Sequence, residues 1–311
     1  MKVLHLTSSP GWFEDHFKQL CLQLGMQGET QTLLYWDVTA KVSNEIWEKH
    51  KEYYESFDAI FISHLANLSR IFLQNDWKKP LYVWFFFRFD FCSSDLEDYY
   101  ALLREAVNRP NVKFFASSEI DVRYTRDLLG FTLDIVEPLI FATGGKVTIP
   151  IKENELFLVN KCNESYDWVK DGIARSKIPV YRHVHKDGAP DLSNVRGILH
   201  VPYYHQCRSF YENLALETVY FLPEYGLFSS MPIWWDWAGT LDSTAPISDW
   251  YREENQKIFI YFWSFPHLKR ILDSPSCSEL IAERKQNIRE YNKRHNEEAL
   301  MKWKEVFKEI L

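Results

Sequence analysis

Several side chains able to do chemistry stand where apolar runs of this sequence end. Asp58-Ala-Ile-Phe-Ile-Ser-His64 closes on a histidine, and the run Leu81–Phe87 opens into Arg88-Phe89-Asp90. The carboxyl ends of buried parallel strands are where α/β folds gather their ligands. A carboxylate there, such as Asp90, can take a proton from a hydroxyl as a general base. Beside Arg88 it can equally form a structural ion pair. In the second half, Glu217 and Glu224 fall in a segment read as helical. The strand Gly197–Val201 precedes it, with Tyr203, Tyr204, His205 and Gln206 in the loop. Small residues and Pro232 lead on to a return strand, Ile233-Trp-Trp235. An acid so placed suits a ribose, because one carboxylate accepts hydrogen bonds from two vicinal hydroxyls.

The elements that must position these groups follow from periodicity. Lys2–Thr7 reads as a buried strand and Ser8-Ser9-Pro10-Gly11 as a turn. A helix to Met26 puts Phe13, Phe17, Leu20 and Leu24 on one face, and Thr30–Trp36 is the next strand. The turn has a single glycine and lacks the Gly-x-Gly-x-x-Gly fingerprint of a dinucleotide binder. Strands over 58–64, 81–87, 112–118 and 133–139 then alternate with helices, Ser117 and Ser118 serving as N-caps. Gly144, Gly145 and Pro150 mark a linker. The expected division is 1–142, a linker 143–152, a second βα series 153–275, and C-terminal helices 276–311. That second series has strands near 155–159, 178–184, 197–201 and 257–263. Its last helix carries Leu300, Trp303, Phe307 and Ile310 on one face, a stripe that must be buried. His183 and His185 lack a third ligand, so no metal site is expected.

Composition narrows the class. A chain of 311 residues exceeds what one core usually serves, and 46% hydrophobic content excludes a disordered protein. A net charge of -7 does not mark a nucleic-acid or membrane-surface binder. The five cysteines are odd in number and never at ligand spacing, which points to a reducing compartment. The start reads as strand and turn rather than signal peptide, and no apolar run is long enough to span a bilayer. A soluble cytoplasmic protein is expected, its oligomeric state open.

The stretch from Gly197 to Trp235 resembles the donor-binding segment of GT-B glycosyltransferases. There an acid-bearing helix leads through small residues and a proline into a strand. Glu224, eight positions before Pro232, falls on the ribose-binding glutamate. The earlier acid of the usual pair falls on Leu216, with Glu217 next door. In that family a Gly-Arg and a later Lys-Gly bind the donor diphosphate; here Asn160-Lys161, and Lys170 with Gly172, stand in their places. Tyr203 joins Lys161, Lys170, Glu217 and Glu224 on the donor side. The family's first loop faces the acceptor, which brings in Asp15 and His16, with His64 and Arg88 beside them. In layout the chain is most similar to T-even phage DNA glucosyltransferases.

This resemblance implies an α/β protein of two Rossmann-like domains facing a cleft, with the C-terminal helix crossing back to the first. It implies transfer of a sugar from a nucleoside diphosphate sugar, a UDP-sugar, to a hydroxyl acceptor, without a bound cofactor or metal. A hydroxymethylated base in phage DNA is one such acceptor, in a host cytoplasm, though the overall acidity weighs against duplex binding. Asp90 is the general base if configuration inverts. If it is retained, Asp90 orients the acceptor or stabilises positive character on the sugar. A glycan or small-molecule acceptor, a nucleotide-sugar hydrolase or epimerase, and a non-catalytic nucleotide-sugar binding protein are the alternatives.

Overall fold

The structure is a computed structural model that describes residues 1–35, 37–144, 146–159, 163–182, 190–231 and 241–311, with backbone alone at 163–166 and 241–242. The chain divides into two compact units, Met1–Leu139 with Glu297–Leu311, and Ile140–Asn296.

Unit 1 alternates strand and helix: β1 (Lys2–Thr7), α1 (Trp12–Leu24), β2 (Gln27–Thr32), α2 (Ala40–Glu55), β3 (Ala59–Ser63), α3 (Arg70–Leu73), β4 (Leu81–Phe85), α4 (Leu96–Ala106), β5 (Val112–Ala116), α5 (Glu119–Leu129) and β6 (Asp134–Ile135). All neighbouring strands are parallel, in the order β2-β1-β3-β4-β5-β6. β3 and β4 are buried along their whole length, as their unbroken apolar runs require. The second strand begins three residues earlier than its sequence pattern suggests, because Gln-Gly-Glu-Thr-Gln-Thr is a polar sheet edge. Ser118 caps α5 by accepting the Asp121 N–H, and Gly130 ends it at a φ of 81°.

Unit 2 comprises β7 (Leu156–Leu158), α6 (Asn163–Ser176), β8 (Val180–Arg182), β9 (Ile198–Leu199), α7 (Arg208–Ala215), β10 (Tyr220–Pro223), α8 (Tyr225–Ser229), α9 (Leu241–Thr244), β11 (Phe259–Phe262), α10 (Phe265–Asp273) and α11 (Cys277–Phe307). Its sheet is parallel too, ordered β11-β10-β9-β7-β8. One correction concerns the two acids. Glu217 and Glu224 do not share a helix, because the fully buried strand β10 lies between them. The expected strand Ile233–Trp235 lies outside the described residues, as do His183 and His185.

The terminal helices form one 31-residue helix, α11, not two. Its last turns belong to unit 1. There Trp303 packs edge-on against Trp84 and Phe115, Phe307 packs on Tyr82 and Phe61, and the Trp303 indole donates to the Glu137 carbonyl at 3.0 Å. Among the described residues no helix is long and apolar enough to cross a membrane.

Candidate functional site

In unit 1 the chain leaves β1 for β2 on one side, then returns to place β3 on the other. Such a reversal opens a crevice at the carboxyl ends of the two inner strands. Ser8 and His64 are the residues that follow those strands, and Ser8 Oγ lies 2.5 Å from His64 Nδ1. His64 has a φ of 72°, a left-handed conformation uncommon outside glycine, though histidine is among the residues that enter it more readily. The half-buried ring rests between Phe13 and Phe87.

The other residues expected on the acceptor side are differently employed. Asp90 does not stand open at the mouth of β4. It is 5% exposed, and its Oδ2 accepts from Tyr100 at 2.7 Å and Tyr124 at 2.8 Å. Arg88 Nε lies 3.2 Å from its Oδ1, an ion pair without the alignment of a hydrogen bond, and the guanidinium covers the Tyr124 ring. Burial, then the bond to Asp90, raises both phenol pKa values. The carboxylate thus ties the loop after β4 to α4 and α5. His16 is 1% exposed, and its Nε2 accepts the Leu139 N–H at 3.0 Å. Burial lowers its pKa to about 3. Asp15 lies in the first turn of α1 and pairs with Lys18 at 3.0 Å, where an acid complements the helix dipole.

Unit 2 has the same kind of reversal between β7 and β9. Asn160 and Lys161, which follow β7, lie outside the described residues. Lys170 sits in the middle of α6, about 10 Å along the axis from Asn163, and pairs with Asp167 at 3.2 Å. Gly172 serves packing: a Cβ there would stand 2.1 Å from the Phe265 ring. The loop after β9 is pinned by Trp250, whose indole donates to the Tyr204 carbonyl, and by a chain from Gln206 through Tyr211 to Asp249. Tyr203 in that loop reaches Cys207 Sγ at 3.7 Å, and burial raises its pKa. Glu217 lies before β10, at the amino edge of the sheet, where it pairs with Arg289 at 2.6 Å. It therefore does not join Glu224.

Glu224 follows β10 at the carboxyl edge, its backbone N–H held by the Phe262 carbonyl at 2.8 Å. Its side chain lines a depression of about 420 Å³ with Tyr225, Pro246, Tyr251, Gln256 and Tyr261. Tyr251 and Tyr261 stack, and their hydroxyls are taken up by the carbonyls of Pro223 and Trp250. The rings thus offer faces while the phenols are engaged. Among the described residues the Glu224 carboxylate and the Gln256 amide have no hydrogen-bond partner. A free carboxylate and a free amide over an aromatic wall suit a polyhydroxylated ligand. Sequence reasoning singled out Glu224 but not the tyrosines around it: Tyr261 lies in β11, which reads as ordinary core, and Tyr251 precedes Tyr261 by ten residues. It also missed Ser8 as partner of His64, although both close strands. Among the described residues no group of acids, histidines and cysteines could hold a metal ion.

The sequence matches no family model and no curated protein. Among solved structures the chain is similar to a glycosyltransferase from Rickettsia africae ESF-5, with a TM-score of 0.53 at 11% identity, over 99% of this chain and 98% of that one. A likeness at that identity shows the fold: the chain is an α/β protein of two Rossmann-like units, each built on a parallel sheet, like that glycosyltransferase.

Proposed function

We propose that this chain transfers a glycosyl group from a nucleoside diphosphate sugar to a hydroxyl acceptor. The observation that carries the reading is the unpartnered Glu224 carboxylate lining an aromatic depression at the carboxyl edge of a parallel sheet. In this reading Glu224 accepts from the ribose hydroxyls, and a UDP-sugar is the donor class. Lys161 is the cation for the leaving diphosphate, with Lys170 in a lesser part. As proton acceptor, His64, half-buried at the crevice between β1 and β3, suits better than the enclosed Asp90. A small-molecule or glycan hydroxyl fits the acidic chain better than a hydroxymethylated base in phage DNA, since duplex binding rests on phosphate neutralisation.

Titration calorimetry of UDP and UDP-glucose against Glu224→Ala tests the donor site. Loss of bonds to a charged group should weaken binding by roughly 1.5–3 kcal/mol. The melting temperature should hold, because the side chain supports nothing in the fold. Equal affinity in the two proteins would refute the assignment.

A further inference from the structure

We propose that unit 2 holds a second ligand site, apart from the Glu224 depression, and that it takes an anionic sugar. A cavity of about 400 Å³ lies between α10 and the first turns of α11. It shares no lining residue with the depression at Glu224. His267, Arg270, Ile271 and Ser274 come to it at the three- and four-residue steps of one helix face. Trp263, the residue after β11, adds its indole and is 59% exposed. Water-facing tryptophan of that degree is costly, and such residues concentrate where something binds. The His267 ring stacks on the indole at an interplanar angle of 14°, and its Nδ1 accepts the Trp263 backbone N–H at 3.4 Å. The indole is thus held in place on one side and open to solvent over the rest.

Arg270 sets the charge of the ligand. Among the described residues its guanidinium has no ion pair and no hydrogen bond. Asp273 is taken by Lys269, and Glu279 does not line the cavity. On a chain of net charge -7, an uncompensated cation in a cavity wall complements an anion. A guanidinium meets a carboxylate or a phosphate through two parallel N–H bonds. The remaining lining sets the body of the ligand. Trp263, Ile271 and Leu280 offer an apolar surface to the C–H face of a ring. The hydroxyls of Ser274 and Ser276 lie 2.8 Å apart and together can both give and accept a hydrogen bond. Trp263 and Arg270 are both exposed, so a bound molecule keeps its far side in water. A sugar tolerates that, because its rim of hydroxyls stays hydrated, whereas an aromatic acid would leave an apolar face wet.

The test is NMR of the full chain, reading the Trp263 indole N–H, which is assigned by its loss in Trp263→Ala. The probes are methyl β-glucuronide, glucose 6-phosphate, neutral methyl β-glucoside and benzoate. An anionic sugar should shift that resonance with a Kd of about 1 mM, the strength expected of so small a ligand. Whichever of the two anionic sugars binds tells carboxylate from phosphate, and either supports the site. Arg270→Gln should weaken it about 10- to 100-fold, the worth of a hydrogen bond to a charged group. Glu224→Ala should leave the Kd unchanged, so this site stands or falls apart from the donor site proposed above. The proposal is overturned if neither anionic sugar moves the resonance, or if the glucoside or benzoate binds as tightly. Equal affinity in Arg270→Gln, or loss of binding in Glu224→Ala, overturns it too. So does a dimer in sedimentation that Trp263→Ala dissociates, since the exposed indole would then belong to a contact between copies.

Discussion

His16 takes the backbone N–H of Leu139 on its Nε2, 123 residues away in sequence, while its ring lies stacked between Trp12 and Trp84. An imidazole that accepts there and is sealed by indoles stays neutral. Its pKa falls from the ordinary 6.5 to about 3, and that of His5 falls likewise through burial first and the neighbouring His16 second.

These two rings set an acid limit on stability. Between pH 6.5 and about 3 the unfolded chain binds protons that the folded chain refuses. Stability is therefore complete above pH 6.5 and is lost as pH falls, by about 1.4 kcal/mol per pH unit for each ring. Urea unfolding at pH 7, 6 and 5 should show this slope. His16→Gln, which can still accept the Leu139 N–H, should roughly halve it. A stability that is flat from pH 7 to pH 5 would contradict the assignment.

Asp90 should prove structural. Asp90→Asn keeps a carbonyl oxygen for the two half-buried phenols but turns an amide NH2 toward the Arg88 guanidinium and removes the paired charge. A loss of roughly 1–3 kcal/mol in unfolding free energy is expected, with nucleotide affinity unchanged. Unaltered stability with a large fall in turnover would instead restore Asp90 as the base.

Gly172 inverts a familiar rule. Glycine to alanine inside a helix ordinarily stabilises by about 1 kcal/mol. Here the added Cβ would stand 2.1–2.7 Å from ring atoms of Phe265. Gly172→Ala should lower stability by roughly 1–3 kcal/mol, the range for overpacking. A melting temperature above wild type would show that α6 and α10 part easily.

Lys177 offers the opposite change. It follows α6 at a φ of 53°, exposed to solvent, and glycine suits that position better. Lys177→Gly should raise stability by about 1 kcal/mol, the cost of the left-handed region for a residue with a Cβ. Thermal unfolding that shows a fall would mean that the side chain supports a contact of its own.

What was legible in the sequence depended on burial. β3 and β4 are covered on both faces and so read as apolar runs, whereas β2 is a polar edge and its register was displaced. β10 was hidden because Glu217 and Glu224 bracket four apolar residues and mimic the spacing of a helix. Glu224 was singled out, because an acid before small residues and a proline leaves a local trace; its place at the carboxyl edge of the sheet comes from β10. The partners of Asp90 lie 10 and 34 residues away and Ser8 lies 56 residues from His64. Those pairings are made by strand order, which no local pattern contains.

The last turns of α11 complete a core whose other walls come from the first part of the chain. A ribosome delivers Phe61, Tyr82, Trp84 and Phe115 long before Trp303 and Phe307. Domains generally fold as units during synthesis, the N-terminal one first. Here that order cannot hold to the end: until the last helix emerges, the first unit waits with an uncovered aromatic face, while the second already has every one of its strands. The unit that is made first is the one that is finished last.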